Sequence, residues 1–287
     1  MKKLFLLLLF LTSTIMYSQE NQKQLLIRMD DLGMSHSVNM AFEKVFKTGI
    51  PVSASVMFAC PWYQEAVDIL KKYPNVAVGI HLTLNAEWKN YKWGPITYAK
   101  TLTDKNGFFL PSRKLLFENN PSTEEVEKEL RAQIERALNS GIKISYLDHH
   151  MGTVVDKPQW RELLERLAKE YKLGISRYFG EYYMDNMYSK PIESKKDSLV
   201  KILNNDLKDG QINLLVCHIG TDNDELAAML DENTFGLKEM SKHRQAELNA
   251  LISDDIQKMI HSPNIKLINY EMLVKDGGYK NIKRPVE

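Results

Sequence analysis

The sequence predicts an α/β architecture of parallel strands, either a sheet or a barrel. Three observations carry that prediction. Short apolar runs alternate with amphipathic segments of helical length, reading β-α-β-α-β over residues 25–81. Four of the strand-like runs end in residues that bind metals or move protons. The chain also shows no internal repeat, low-complexity tract or linker, and its length suits one domain with a substantial core.

Residues 1–18 stand apart. Lys2 and Lys3 precede the apolar run Leu4–Leu11, and small and polar residues lead on to Ser18 and Gln19. That layout describes a secretory signal peptide. The run is short for a membrane span, and no cysteine near the cleavage region offers a lipid anchor. The expectation is an exported protein, periplasmic or secreted, that begins near Gln19 and has no membrane insertion after cleavage. Residues 19–287 then form a single domain.

The first strand covers Leu25–Gly33. Val38, Ala41, Phe42, Val45 and Phe46 follow at helical spacing, closed by Gly49. Val52–Phe58 reads as a strand, Pro61 introduces a helix carrying Ala66, Ile69 and Leu70, and Val76–His81 is the third strand. Residues 84–121 then lose periodicity and hold Trp88, Trp93, Tyr98, Phe108 and Phe109. A connection of that length is usually a lid or binding loop, and its aromatic rings suit either sugar stacking or packing onto the body. Ser122-Thr123-Glu124-Glu125 is a capping box ahead of a helix that ends at Gly141. Ile142–Leu147 is a strand running into Asp148-His149-His150, and a helix spans Pro158–Tyr171 before the short strand Gly174–Arg177. Residues 178–193 form a second irregular aromatic segment, followed by a helix near 194–208 and the apolar strand Ile212–Cys217, which ends at His218. Leu248, Leu251, Ile252, Ile256, Met259 and Ile260 predict one amphipathic helix before the last strand, Ile265–Ile268.

The 38 Lys and Arg nearly balance the 37 Asp and Glu, and loss of Lys2 and Lys3 leaves 36 against 37, a formal charge of −1. This gives no electrostatic case for a nucleic-acid or anionic-membrane partner. Cys60 and Cys217 lie in apolar contexts without a second cysteine at ligand spacing, and the expectation is two buried thiols in separate strands.

The chemistry gathers at the strand ends. Side chains alternate along extended chain, so Asp30 and Asp31 point in different directions unless the backbone bends. On these residues alone two readings stand. Asp31 caps the next helix and Asp30 makes a turn, or the two acids divide a metal and a proton between them. His81, Asp148-His149-His150 and His218 end three further strands, and in parallel α/β folds those ends share one face. Two histidines and a carboxylate form a ligand set for a catalytic divalent ion that leaves positions open. A second carboxylate can take a water proton, and a histidine opposite can protonate a departing amine. That kit suits amide or ester hydrolysis, and no G-x-S-x-G serine motif is present.

The runs LLIRMDDLGMSHSVNMAF, GIPVSASVMF, VAVGIHLTLN, ISYLDHHMGT, LGISRYFGE, VCHIG and IKLINYEML resemble those of the YdjC-like (ChbG-type) carbohydrate deacetylases, over about residues 24–275. The resemblance implies a distorted (β/α) barrel of parallel strands, related to NodB-type polysaccharide deacetylases. It also implies removal of acetyl groups from N-acetylated sugars such as chitooligosaccharides, with one divalent ion, magnesium or zinc. Carried over by position, it makes Asp31 the metal carboxylate, Asp30 the general base, and His81 and His150 the metal histidines. His149 takes the place of a family serine, and Asp148 would orient a ligand. His218 becomes the general acid. Arg177 would steady a carboxylate or the substrate, or else form a structural ion pair. Asn39 would be a satellite polar group, or simply a hydrogen bond at the helix start. Many relatives continue the motif as H-x-H-x-x-H, whereas this chain has Met151 to Val155 there, so substrate contacts differ. Relatives include dimers, which makes a homodimer an expectation although no interface is legible. Two rivals remain: a metal-dependent hydrolase of another amide or of O-acetyl esters, and a non-catalytic exported glycan-binding protein that uses its aromatic segments.

Overall fold

The computed structural model describes residues 22–285; the expected signal peptide lies outside them. In chain order the elements are β1 (Lys23–Leu32), α1 (His36–Phe46), β2 (Ser53–Val56), α2 (Tyr63–Leu70), β3 (Ala77–Leu82), α3 (Arg113–Glu118), α4 (Thr123–Leu138), β4 (Tyr146–His149), α5 (Thr153–Asp156), α6 (Pro158–Tyr171), β5 (Gly174–Ile175) and β6 (Tyr182–Tyr183). Then come α7 (Lys195–Asn205), β7 (Ile212–Cys217), α8 (Asp224–Ala227), α9 (Met240–Leu251), α10 (Asp254–Ile260), β8 (Ile265–Ile268) and α11 (Tyr270–Val274). The strands pair in the order β5-β4-β3-β2-β1-β7-β6, every pairing is parallel, and β8 adds to β1. Consecutive strands β5 and β6 stand at the two free ends of that order. The sheet is therefore a curled, incompletely closed (β/α) barrel, the distorted parallel barrel that the family resemblance implies.

Strand alternation sorts the core into two parts. Leu25, Ile27 and Met29 of β1 join Val38, Ala41, Phe42 and Val45 of α1 in the cluster between sheet and helices. Leu26 instead joins Tyr146, Leu214, Val216, Ile268 and Tyr270 inside the barrel. There the Tyr146 and Tyr270 rings meet at 4.3 Å between centroids. Gly79 on β3 makes room for this layer, because a Cβ there would lie 2.3 Å from the Tyr146 ring. Above the apolar floor the interior turns polar, through Ser55, Asp148, Arg28 and Ser176, all buried. Arg28 and Asp30 follow Leu26 at two-residue spacing, so both face inward.

Several elements differ from the sequence expectation. Residues 178–193 are not wholly irregular, since Tyr182 and Tyr183 pair with Asn213 and Leu214 of β7. The single helix expected across 248–260 is two helices, α9 and α10, separated at residues 252–253. Half of the capping box forms: the Ser122 hydroxyl accepts the Glu125 N–H, while the Glu125 carboxylate turns to the N–H and hydroxyl of Thr101. Cys60 lies in the turn after β2 rather than in a strand, and it and Cys217 are buried and unbonded. In the segment 84–121, Trp88, Trp93 and Phe109 are packed into the body, and Tyr98 is 82% exposed. No helix among the described residues is long and apolar enough to cross a membrane.

Candidate active site

A bulge at the end of β1 settles how neighbouring acids can serve one cleft. Met29 pairs with Ala54 and Leu32 with Val56, so β1 takes three steps where β2 takes two. The extra residue marks a β-bulge. Asp31 sits in it at φ 75°, and this turn returns a side chain that alternation would have sent outward. The helix-cap reading of Asp31 fails, because Ser35 caps α1 and its hydroxyl accepts the Val38 N–H at 3.3 Å. Asn39 does not line the cleft. Its amide accepts the Gly33 N–H at 2.8 Å and donates to the Trp62 carbonyl and Glu65, which pins the turn that follows Asp31.

Asp31 Oδ1 lies 3.4 Å from His81 Nε2 and 3.4 Å from His150 Nδ1, and it is buried with no hydrogen-bond partner among the described residues. Two donors held about 2.1 Å from one ion at tetrahedral angles would stand about 3.4 Å apart. These three residues could therefore hold a metal ion. Each is braced from behind by an opposite charge. Asp148 meets His81 Nδ1 at 2.9 Å, Glu87 meets His150 Nε2 at 2.9 Å, and Arg244 donates to Asp31 Oδ2 at 2.6 Å. Asp148 also accepts from Ser55 at 2.8 Å and pairs with Arg28 at 2.9 Å. Such outer contacts fix the ring and its tautomer.

The charges shift accordingly. Burial opposes protonation of both histidines, but Asp148, Asp30 and Asp31 push His81 up to about 9, and Glu87 and Asp31 push His150 up to about 10. Burial raises the Asp31 carboxyl, yet Arg244 and the two histidines outweigh it and hold the group well below the usual carboxylate range. A second grouping, Asp30, His81 and Asp148, also brings three donor atoms close. It is a poorer cation site, because the Arg28 guanidinium already contacts both of its acids.

The side of the cleft with Asp30 and His218 is looser. Both Asp30 oxygens accept from Arg28, Oδ1 from Nε at 2.8 Å and Oδ2 from Nη2 at 2.7 Å. His218 Nε2 stands 3.8 Å from Asp30 Oδ2, too far for a direct hydrogen bond. The His218 backbone N–H donates to Glu247 at 2.7 Å, and Tyr188 packs edge-on against its ring. Glu247 is itself paired with the buried Lys195, whose ammonium also donates to the Met187 and Tyr188 carbonyls. This network ties the aromatic segment 178–193 to the end of β7.

The Asp31, His81 and His150 cluster with Glu87 and Arg244, and the Asp30 and His218 pair with Arg28, border a cavity of about 990 Å³ at the C-terminal strand ends. Asp31, Met151 and Arg177, three of the non-glycine residues with positive φ, line it. Such backbone costs about 1–3 kcal/mol each and persists where surrounding structure enforces it. His149 is not part of the grouping of Asp31, His81 and His150, and burial outweighs Asp148 to lower it to about 4. Arg177 is exposed at the cleft and stacks over Tyr183, with its guanidinium carbon 4.9 Å from the ring centre. The most exposed aromatic lining the cleft among the described residues is Phe235, 71% exposed and far along the chain from 84–121. Sequence reasoning missed Arg28, Glu87, Arg244, Glu247 and Lys195. Only Arg28 carried a local signal, since a residue two before Asp30 shares its face of the strand.

A barrel of parallel strands with a buried acid and histidine cluster at its C-terminal mouth defines the general class, a barrel enzyme scaffold. The YdjC-like protein family model matches residues 24–262, and the chain belongs to that family. A Brevibacillus brevis relative, named carbohydrate deacetylase, is 28% identical over 267 residues, covering 87% of this chain and 99% of its own. A solved structure from Enterococcus faecalis V583, provisionally described as a cellobiose-phosphate cleavage protein, superposes with a TM-score of 0.70 at 22% identity. It covers 88% of this chain and 99% of its own. The Xyl-CE4 domain of a multidomain xylanase from the hindgut metagenome of Trinervitermes trinervoides matches at a TM-score of 0.51 and 10% identity, over 90% of this chain and 92% of its own. These two likenesses establish the fold.

Proposed function

We propose that the protein is a metal-dependent carbohydrate deacetylase that removes the acetyl group from N-acetylated sugars or oligosaccharides. The observation that carries the reading is the convergence of Asp31 Oδ1, His81 Nε2 and His150 Nδ1 beside the Asp30 and His218 pair in one cleft. The name carried by the Brevibacillus relative supports the same chemistry.

A divalent ion bound by Asp31, His81 and His150 would lower the pKa of a water and polarise the acetamido carbonyl. The protein's own groups then do the following. Asp148, Glu87 and Arg244 hold the three ligand side chains in place, and the buried Asp31 Oδ1 has no hydrogen-bond donor among the described residues. Asp30, fixed by the Arg28 fork, keeps lone pairs open to the cleft and accepts the water proton as acyl attack proceeds. His218, a quarter exposed and across from Asp30, delivers a proton to the departing amine. Acetate and the free amino sugar leave through the open mouth, where Phe235 offers a stacking face. We also read the protein as exported, from residues 1–18 alone; N-terminal sequencing of the extracytoplasmic protein should begin near Gln19.

Acetate release from N-acetylglucosamine oligosaccharides is the test. It should vanish with a chelator and return with zinc or magnesium. Release that is unaffected by thorough chelation would overturn the metal role, and no release from any N-acetylated sugar would overturn the substrate.

A further inference from the structure

His218 lacks the support that ordinarily orients a histidine engaged in proton transfer. Such a ring is usually aimed by a hydrogen bond on the nitrogen that does not react. Nε2 of His218 faces Asp30, and its Nδ1 is buried with no hydrogen-bond partner among the described residues. Two other contacts hold the residue. Glu247 Oε2 on α9 accepts its backbone N–H at 2.7 Å, and the Tyr188 ring stands edge-on to its own, 5.0 Å between centroids. Both contacts lead back to one side chain. The Lys195 ammonium, at the first residue of α7, donates to Glu247 Oε1 at 3.2 Å and to the Met187 and Tyr188 carbonyls at 2.5 and 3.0 Å. Its three N–H donors thus meet three acceptors. Lys195 is 0% exposed and Glu247 1%. Replacing such a buried pair by apolar residues of like volume is often neutral or stabilising, so stability alone is a weak reason for its presence.

We propose that Lys195 and Glu247 are positioning residues for proton delivery by His218, fixing its backbone through Glu247 and its ring through Tyr188. Neither lines the cleft, so both act through other groups. One ammonium sets the two constraints together, because it binds the carboxylate under the His218 peptide and the carbonyls that carry the Tyr188 ring. A displacement of about 1 Å in a reacting group can cost about 10²-fold in rate. The proposal rests on the deacetylase reading, in which His218 protonates the departing amine, and adds what aims it.

The test compares two acetyl donors in the metal-loaded protein. An N-acetylglucosamine oligosaccharide requires a proton on its nitrogen as the C–N bond breaks, whereas 4-nitrophenyl acetate releases a stable phenolate without one. Ester cleavage is counted only where chelation abolishes it. Lys195→Met/Glu247→Gln removes both charges together and leaves no lone buried charge, and the glutamine oxygen can still accept the His218 N–H. This variant should lower kcat on the sugar about 10–100-fold with KM nearly unchanged, while ester cleavage falls by less than about threefold. Lys195→Arg, which keeps a cation for Glu247, should recover part of the rate on the sugar. His218→Ala should show the same split between amide and ester, enlarged to about 10²–10⁴ on the amide. In nitrogen-15 spectra the His218 ring signals, assigned by their loss in His218→Ala, should shift or broaden in the double variant. Calorimetric ion affinity should stay within a few fold. Equal losses on amide and ester overturn the proposal, as do ring signals that stay in place. Absence of the split in His218→Ala itself overturns the acid assignment instead, and the ring signals then decide whether Lys195 and Glu247 position His218.

Discussion

Asp30 and Asp31 are neighbours in sequence, yet the two sides of the cleft they serve are built differently. On the Asp31 side each ligand atom is backed by a buried opposite charge at 2.6–2.9 Å, from Asp148, Glu87 or Arg244. On the Asp30 side the partner histidine is 25% exposed and 3.8 Å away, held through its backbone and by ring contact with Tyr188. A cation site keeps its affinity only if its ligands are fixed before the ion arrives. A group that passes protons must meet water and adjust to the substrate. Rigidity and openness are thus separated within two residues of backbone.

The division can be attacked from its strong side first. Asp31→Asn or His150→Ala should abolish divalent-ion binding in calorimetry and lower acetate release by at least about a thousandfold, since a Lewis-acid centre contributes several kcal/mol. Next comes Asp30→Asn, which should cut kcat by about 10²–10⁴ and leave ion affinity within a few fold. A collapse of ion binding in that variant would show that the two acids are not divided. Glu87→Gln should weaken the ion by about 10–100-fold, the usual effect of losing a carboxylate behind a ligand histidine, while the neutral amide keeps the fold.

The pH dependence follows from the raised histidines. His81 and His150 sit near 9 and 10 when folded, against about 6.5 in an unfolded chain. In metal-free protein their stabilising contribution is therefore complete below about pH 6.5 and fades as pH climbs through 9–10. Denaturant melts of chelated protein across that range should show the decline. Protons compete with the cation for the same nitrogens, so ion affinity should rise over the same interval. The smallest effect belongs to the barrel interior beneath the site. Tyr270→Phe removes the hydroxyl bonded to Ser176 at 2.7 Å and Glu181 at 2.8 Å. It should cost about 1–3 kcal/mol of stability and leave ion affinity unchanged.

The parallel barrel was legible because its strands are apolar runs and its helices keep a clean period; the Pro158–Tyr171 helix and the Ile212–Cys217 strand have the bounds their residues predict. The strand β6 was not legible, since two residues paired to β7 carry no period of their own. The break between α9 and α10 was hidden by apolar spacing that continues across residues 252–253. Arg244 and Glu247 are buried charges on α9, so the apolar count placed the start of that helix too late. The strand-end acids and histidines could be read because each closes an apolar run. Glu87 could not. It reaches His150 from an irregular segment, positioned by pairing of Trp88 with Asp231 and of its carbonyl with the Glu232 N–H.

The bulge between Met29 and Leu32 has a consequence for mutation by insertion and deletion. A chain shortened by one residue there would regain even pairing with β2. Its apolar residues before the deletion would keep their places in sheet and helix packing, and the barrel would still close around Tyr146 and Tyr270. Only one of the two acids could then face the mouth. Loss of a single codon there should leave a folded protein without acetate release, so a change in length at this strand end should be as damaging as replacing one of the two acids.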